Sequence, residues 1–233
     1  CILLGAVPVI PLFAGSCAGD PAASAPENAR PNVIFIFSDD LGIGDLSCYG
    51  ATKVATPNID RLAAQGQRFI NAYATSATST PSRFGLLTGM YPWRLPNTQI
   101  APGNSELIID TECHTLADAM HDAGYVSGAV GKWHLGLGPV GGTDFNVEIR
   151  PDARDIGFDY EYLIPATVDR VPCVFVENGH VVGLDPADPI TVNYDHKVGD
   201  WPTGSENPEL LKLRPSHGHD NTIVNGISRI GWM

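Results

Sequence analysis

Residues 115–138 read TLADAMHDAGYVSGAVGKWHLGLG, and they place a helix, a strand and a polar loop in succession. Thr115, with Asp118 three residues later, forms a capping-box pattern, so we predict a helix over LADAMHDA that ends at Gly124. The apolar run YVSGAVG, residues 125–131, predicts a strand that leads into KWHLGLG. Strands that alternate with helices in this way are typical of an α/β protein with a mainly parallel sheet.

The same alternation is found upstream. NVIFIF, Asn32–Phe37, is a continuous apolar run of the kind found in a strand buried on both faces. Thr56 and Pro57 form the expected cap and first turn of a helix that Gly66 stops. QRFINAYA, residues 67–74, predicts a further strand.

The downstream part is more polar. In VPCVFVENGHVVGL, residues 171–184, Asn178-Gly179 lies between two apolar runs and predicts a β-hairpin. Residues 185–221 are rich in Pro, Asp, Asn and His and are interpreted as a polar insertion. His217 and His219, within this insertion, are interpreted as loop residues rather than site residues.

Residues 1–17, CILLGAVPVIPLFAGSC, are interpreted as part of a signal peptide, because a short apolar run ends in small residues. The run is too short for a comfortable membrane span. AGSC also resembles a loose lipobox, so acylation of Cys17 and simple cleavage both stay open. We therefore predict an exported protein, either periplasmic or a cell-surface lipoprotein. Residues 18–30 are interpreted as a linker. Residues 31–233 are interpreted as one domain that is truncated at its C-terminus.

The charge balance limits the partners. The 233 residues include 26 Asp and Glu against 14 Lys and Arg, a net charge of −12. Such a field repels nucleic acid and anionic membrane surfaces, so we expect neither as a partner. An anionic small molecule can bind only where a metal ion or local cations reverse the field.

Polar clusters follow two of the predicted strands. Asp39 and Asp40 come after the first strand, and Lys132 and His134 come after the strand at 125–131. Ligands of open α/β sheets bind at such carboxyl ends, and a hard divalent cation is a common reason to hold two carboxylates together. Each cluster alone also fits a simpler interpretation: a turn for the aspartates, and a solvated lysine and a core histidine for the others.

A third cluster lies in ATSTPSRFGLLTG, residues 77–89. Thr80 can cap a helix and Pro81 suits its first position, which puts Ser79 just outside a helix N-terminus where backbone N–H groups favour an anion. Arg83, one turn into the helix, can reach the same place. A capped surface helix with an exposed arginine explains these residues equally well.

Together these stretches resemble the sulfatase family. STPSRFGLLTG, residues 79–89, resembles the sulfatase pattern Cys/Ser-x-Pro-Ser/Ala-Arg-x-x-x-x-Thr-Gly without a mismatch. GYVSGAVGKWH, residues 124–134, resembles the second sulfatase pattern. PNVIFIFSDDLGIGDLSCYG, residues 31–50, resembles the first strand and metal aspartates of the family, and TPNIDRLAAQGQRF, residues 56–69, the helix that follows. The resemblance is close over residues 31–138 and looser beyond.

The resemblance implies an alkaline phosphatase-like fold, a mixed and mainly parallel sheet sandwiched by helices, with residues 31–233 as the N-terminal part of the catalytic domain. It implies a sulfuric ester hydrolase that acts on a sulfated glycan or an aryl sulfate. It also implies that a radical maturase oxidises Ser79 to formylglycine, and that Asp39, Asp40 and residue 79 bind Ca²⁺.

The resemblance further assigns roles to three side chains. Arg83 would steady the hydrated formylglycine, Lys132 would contact a sulfate oxygen, and His134 would serve as a base. The remaining calcium ligands and leaving-group residues of the family have no match before Met233. Two alternatives stay open: a phosphatase or phosphonate hydrolase of the same superfamily, and a non-catalytic sulfatase-like binding protein.

Overall fold

The computed structural model describes residues 30–168, 170–194, 198, 200 and 230–231. The chain divides into two compact units, Cys1–Ala74 and Thr75–Met233, which are taken here one at a time. The predicted signal peptide, nearly all of the linker, and His217 and His219 lie outside the described residues. None of the helices in the described part of the chain has the length and apolar character that a membrane span requires.

The described residues of the first unit form one α-helix, α1 (Pro57–Gln65), and two 3₁₀ turns, Ile43–Asp45 and Ser47–Tyr49. The prediction of α1 is confirmed, with Pro57 in its first turn. The Gly66 amide donates to the Leu62 carbonyl and closes the last turn. Thr56 does not cap the helix with its side chain, since its hydroxyl is hydrogen-bonded to the Ser47 hydroxyl and to the Asp60 carboxylate.

Both strands predicted for the first unit are wrong for this structure. Residues 32–36 and 67–74 form no strand, and Phe37 makes only an isolated bridge. The side chains of Val33, Ile34, Phe35 and Ile36 are between 39% and 55% exposed. An apolar run becomes a buried strand only when a neighbouring backbone pairs with it and other layers cover both faces, and residues 30–74 contain no strand pair.

In the part of the second unit that the structure describes there are two α-helices, α2 (Ser79–Thr88) and α3 (Leu116–Asp122). The α3 prediction is confirmed: the Thr115 hydroxyl accepts from the amides of Ala117 and Asp118, and the Asp118 carboxylate accepts from the Thr115 amide. Two 3₁₀ turns, Pro92–Arg94 and Ala153–Ile156, complete the helical elements described in this unit.

A four-stranded sheet forms the centre of the second unit. Its strands, in spatial order, are β1 (Gly128–Lys132), β2 (Tyr160–Ile164), β3 (Val176–Glu177) and β4 (His180–Val181). β1 and β2 are parallel, and the other two pairs are antiparallel. A separate parallel pair joins β5 (Thr191–Val192) to β6 (Ile230–Gly231). The described sheet is therefore mixed, in an α/β arrangement.

The predicted hairpin is confirmed between β3 and β4. Asn178 and Gly179 have φ values of 44° and 78°, so the turn uses two left-handed residues in succession, as a two-residue type I′ connection requires. The predicted strand at 125–131 is also present, but it begins at Gly128 and includes Lys132. The register pairs Lys132 with Ile164, so β1 and β2 end together at one edge of the sheet.

The core of the second unit lies against this sheet. Its buried apolar side chains come from α2, from the segments around the sheet and from the hairpin: Phe84, Ile109, Trp133, Leu135, Leu137, Phe145, Ile149, Ile156, Leu163, Val174, Val176 and Val181. Phe84 belongs to α2, and Trp133 follows β1 directly. The same core therefore fixes both the helix and the strand end that carry the polar clusters.

Candidate active site

Helix α2 begins two residues earlier than predicted. The Ser82 amide donates to the Thr78 carbonyl at 3.2 Å, which makes Thr78 the N-cap and Ser79 the first helical residue. The prediction that Thr80 caps the helix and that Ser79 lies outside it is therefore wrong. Ser79 still lies in the first turn, where backbone N–H groups have no partner within the helix.

Thr80 has a different role from the predicted cap. It is fully buried, and its hydroxyl donates to the His134 carbonyl at 2.8 Å while accepting from the Ala101 amide at 3.2 Å. One threonine therefore fixes the start of α2 to two other segments of the second unit.

The Ser79 hydroxyl lies between a cation and an imidazole. Arg83 Nε donates to Ser79 Oγ at 3.1 Å, and His134 Nδ1 lies 2.9 Å from the same oxygen. Arg83 is four residues after Ser79, so the two side chains share a face of α2. Arg83 also donates from a terminal nitrogen to the Lys132 carbonyl at 2.7 Å, which holds the guanidinium at the end of β1.

The His134 ring is held in one orientation. The residue is 2% exposed, and its φ of 58° lies in the left-handed region, which residues other than glycine seldom adopt. His134 Nε2 lies 2.9 Å from the Ala101 carbonyl oxygen. Because a carbonyl only accepts, Nε2 carries the proton, and Nδ1 of the neutral ring presents its lone pair to the Ser79 hydroxyl.

Burial lowers the pKa of His134 from 6.5 to about 4. Burial is the largest cause of this lowered pKa, the positive charges of Lys132, Arg170 and Arg83 contribute to it, and the hydrogen bond to the Ala101 carbonyl opposes it. The ring is therefore neutral at neutral pH, and it can accept a proton from a hydroxyl at residue 79.

Lys132, Arg83 and Arg170 supply local positive charge in a protein with a net charge of −12. The sequence analysis did not identify Arg170, which follows β2 in a loop. Its position in the fold could have indicated it, because β2 is the neighbour of β1 and both strands end at the same edge of the sheet.

The predicted metal aspartates lie in the first unit. Asp39 and Asp40 are exposed, and Asp40 has a left-handed φ of 52°. Their adjacent carboxylates are hard oxygen donors of the type that Ca²⁺ takes, but they supply only part of the six to eight oxygens it needs. Among the described residues, no group of three or more His, Cys, Asp or Glu side chains is arranged to hold a metal ion.

The structure thus brings together Ser79, Arg83, Lys132 and His134, four residues that the sequence analysis selected from two separate motifs. It brings in Ala101 and Arg170, which the sequence analysis did not select. The resulting arrangement is a hydroxyl flanked by a proton acceptor and a guanidinium, with further cations near it.

Comparisons with known proteins identify the family to which this chain is similar. Residues 31–162 match the profile of the Sulfatase family. The chain is 73% identical, over 99% of its length, to the N-acetylgalactosamine-6-O-sulfatase of Bacteroides thetaiotaomicron, and covers 45% of that protein. It is 40% identical, over 61% of its length, to human arylsulfatase A, and covers 27% of it. The chain therefore spans less than half the length of these relatives.

One solved structure is similar over most of the described chain. It comes from work on how Bacteroides thetaiotaomicron metabolises multiple glycosaminoglycans. The TM-score is 0.80 and the sequence identity 81%, over 84% of this chain and 41% of that one.

Proposed function

Because the chain belongs to the sulfatase family, we propose that the protein hydrolyses sulfate esters and that residue 79 carries the nucleophile. The observation that supports this most directly is the Ser79 hydroxyl, which lies 3.1 Å from Arg83 Nε and 2.9 Å from His134 Nδ1. When Ser79 is oxidised to formylglycine by a radical maturase and hydrated, two hydroxyls become available at this position, one to attack sulfur and one to release the product.

His134 is the base in this proposal. Its Nε2 proton is held by the Ala101 carbonyl, so the ring can take a proton only at Nδ1, which faces residue 79. The neutral ring removes a proton from a hydroxyl at that position, and the imidazolium that results keeps both of its hydrogen bonds. General base catalysis of this kind contributes roughly 10²–10⁴ in rate.

Arg83 and Lys132 stabilise negative charge. Arg83 directs one N–H at residue 79 and one at the Lys132 carbonyl, so its guanidinium cannot turn away from the oxygen where charge develops. Lys132, at the end of β1, is the compact cation that we assign to a sulfate oxygen.

Asp39 and Asp40 would supply carboxylate ligands to the Ca²⁺ ion that sulfatases of this type use. Bound there, Ca²⁺ would supply Lewis acidity and orient the sulfate group. We also propose the alkaline phosphatase-like fold, with its larger and mainly parallel sheet, for the complete protein.

The substrate that we propose is a glycan with 6-O-sulfated N-acetylgalactosamine. The support is 73% identity to a relative of that name across nearly the whole of this chain. Sulfate release from N-acetylgalactosamine 6-sulfate, compared with the 4-sulfate and with an aryl sulfate, tests the assignment. A preference of about tenfold or less among the three would contradict it, because a site built for one position discriminates by more than that.

We further propose that the protein is exported, with Cys17 either acylated or removed with the signal peptide. Labelled palmitate added to the native host distinguishes the two outcomes. Incorporation that a Cys17→Ala variant abolishes supports the lipoprotein, and a labelled band in neither protein supports simple cleavage.

Mass spectrometry of the native protein tests the nucleophile. Trypsin cleaves after Arg68 and after Arg83, so it releases residues 69–83 as one peptide. Loss of two hydrogens relative to serine, and reaction with an aldehyde reagent, are expected at Ser79. A Ser79→Ala variant made in the same host should show neither change and no sulfate release.

Two other results would replace the proposal. Intact serine in every molecule, with turnover of phosphate esters, would favour a phosphatase or phosphonate hydrolase. Intact serine with no turnover of either ester, but with retention on a sulfated-glycan column, would favour a non-catalytic binding protein.

A further inference from the structure

The hydroxyl of Tyr194 joins two segments that are distant in sequence. Tyr194 Oη accepts a hydrogen bond from the Gly103 amide at 2.7 Å and donates one to the Val171 carbonyl. Gly103 and Val171 are both buried, so the one hydroxyl satisfies two backbone groups that have little access to water. Tyr194 lies two residues after the end of β5 and is part of neither segment.

The two segments approach each other closely at this point. A Cβ atom added to Gly103 would lie 2.1 Å from the Val171 carbonyl oxygen and 2.4 Å from Tyr194 Oη. Only glycine fits there, and its absent side chain lets the hydroxyl reach both backbone groups at once.

Both segments also hold His134. Ala101, two residues before Gly103, accepts from His134 Nε2 at 2.9 Å. Pro165, at the start of the loop that includes Val171, accepts from the His134 amide at 2.9 Å. The ring and the backbone of His134 are therefore attached to the two segments that Tyr194 joins.

We propose that Tyr194 is a positioning residue for His134. Its hydroxyl keeps the Ala101 carbonyl and the 165–171 loop at the spacing that holds the proton on Nε2 and directs Nδ1 at residue 79. The expected effect on the rate of sulfate release rests on the proposed sulfatase function, whereas the expected effect on the tautomer of the His134 ring does not.

A Tyr194→Phe variant tests the proposal, because it removes the hydroxyl and keeps the ring. The matched control is Tyr160→Phe in β2, since it also removes a hydrogen-bonded tyrosine hydroxyl, but one that donates to Glu177 Oε1 at 2.7 Å and not to the segments around His134. Both variants should keep the wild-type circular dichroism spectrum.

The first readout is the tautomer of His134. The imidazole ¹⁵N chemical shifts of histidine-labelled protein report which nitrogen carries the proton, and a His134→Asn variant assigns the signals. Protein with unmodified Ser79 serves here, so the result is independent of formylglycine. We expect the Nε2–H tautomer in the wild type and in Tyr160→Phe, and a mixture of the two tautomers in Tyr194→Phe.

The second readout is the kinetics of the matured protein. We expect kcat of Tyr194→Phe to fall about tenfold with KM changed by less than about twofold, because the variant alters the orientation of the base and not the contacts with substrate. Equal values for Tyr194→Phe and Tyr160→Phe in both readouts would overturn the proposal. If the matured wild type releases no sulfate, the proposed function fails, and the tautomer measurement still decides the role of Tyr194.

If Tyr194→Phe does not fold, a fluorinated tyrosine at residue 194 replaces it, with the same residue at 160 as its control. Fluorination lowers the pKa of the phenol, and a phenolate cannot donate to the Val171 carbonyl. A change of His134 tautomer as the residue at 194 ionises supports the proposal. An unchanged tautomer across that ionisation contradicts it.

Discussion

At the scale of single residues, the site depends on how His134 is attached. Four of its polar groups have defined partners: the amide with Pro165, the carbonyl with Thr80, Nε2 with Ala101 and Nδ1 with Ser79. These contacts stabilise a backbone with φ of 58°, a conformation that costs on the order of 1–3 kcal/mol for residues other than glycine. The protein itself thereby sets the ring orientation that the proposed base requires.

We expect a His134→Asn variant of the matured protein to lose about 10²–10⁴ in kcat, because asparagine cannot take the proton. Sulfate release under saturating substrate measures the loss. His180→Asn is the matched control, since His180 is exposed on β4 and should leave kcat unchanged. A fall of less than about tenfold in His134→Asn would mean that another group is the base.

At the scale of elements, helices and the sheet bring the site residues to one place. The carboxyl end of β1 supplies Lys132 and His134, and the first turn of α2 supplies Ser79 and Arg83. α2 is held close to the preceding segment because Gly85 has no side chain: a Cβ there would lie 2.3 Å from Thr75 Oγ1. A larger side chain on this face of α2 should therefore shift the helix and, with it, residue 79.

We expect Gly85→Ala to destabilise the protein by about 1–3 kcal/mol, since the clash with Thr75 exceeds the roughly 1 kcal/mol that alanine gains over glycine in a helix. Chemical denaturation measures the change. Gly44→Ala is the control, because a Cβ at Gly44 meets no atom within 4 Å. Thr75→Ala should recover part of the loss in the Gly85→Ala background, and no recovery would show that the clash lies elsewhere.

The capping box of α3 gives a second expectation at this scale. The Thr115 hydroxyl accepts from the Ala117 and Asp118 amides and donates to the Ile156 carbonyl at 2.7 Å. Thr115→Ala should cost about 1–2 kcal/mol in the free energy of unfolding. Thr78→Ala is the matched control at the N-cap of α2, where no side-chain cap bond is made. Equal losses in the two variants would contradict the role of the cap.

At the scale of the molecule, stability of the second unit depends on a buried carboxyl group. Glu161, on β2, is fully buried, and its two oxygens accept from the Ala153 and Gly179 amides, both at 2.9 Å. It thereby joins the central sheet to a 3₁₀ turn and to the β-hairpin. The pKa of Glu161 is raised from 4.5 to about 7, mainly by burial and in addition by the Asp152 carboxylate.

The free energy of unfolding should therefore vary with pH. Because the folded protein holds the Glu161 proton more tightly than the unfolded chain, this contribution is complete below pH 4.5, falls as the pH rises to about 7, and is constant above. Urea denaturation across this range measures it. Glu161→Gln should abolish this part of the pH dependence and cost about 1–3 kcal/mol, since its amide nitrogen would face a backbone donor.

Glu112→Gln is the control for this measurement, because Glu112 is exposed. It should leave the pH dependence of the wild type unchanged. A Glu161→Gln variant with the same pH dependence as the wild type would show that other groups are responsible for it.

Features that depend on local interactions could be predicted from the sequence alone. The bounds of α1, the capping box of α3 and the Asn178-Gly179 turn each depend on residues within a few positions of one another, and all three were predicted correctly. The sulfatase motifs likewise selected Ser79, Arg83, Lys132 and His134, since side-chain chemistry at fixed spacing is visible in a sequence.

Contacts between residues that are far apart in the sequence could be found only from the tertiary structure. His134 lies 55 residues from Ser79, and Tyr194 lies 91 residues from Gly103, so no local pattern contains these contacts. The same reason explains the error at Asn32–Phe37, where an apolar run predicted a buried strand. A helix forms its hydrogen bonds within its own segment, whereas a strand and an active site require partners that another part of the fold must supply.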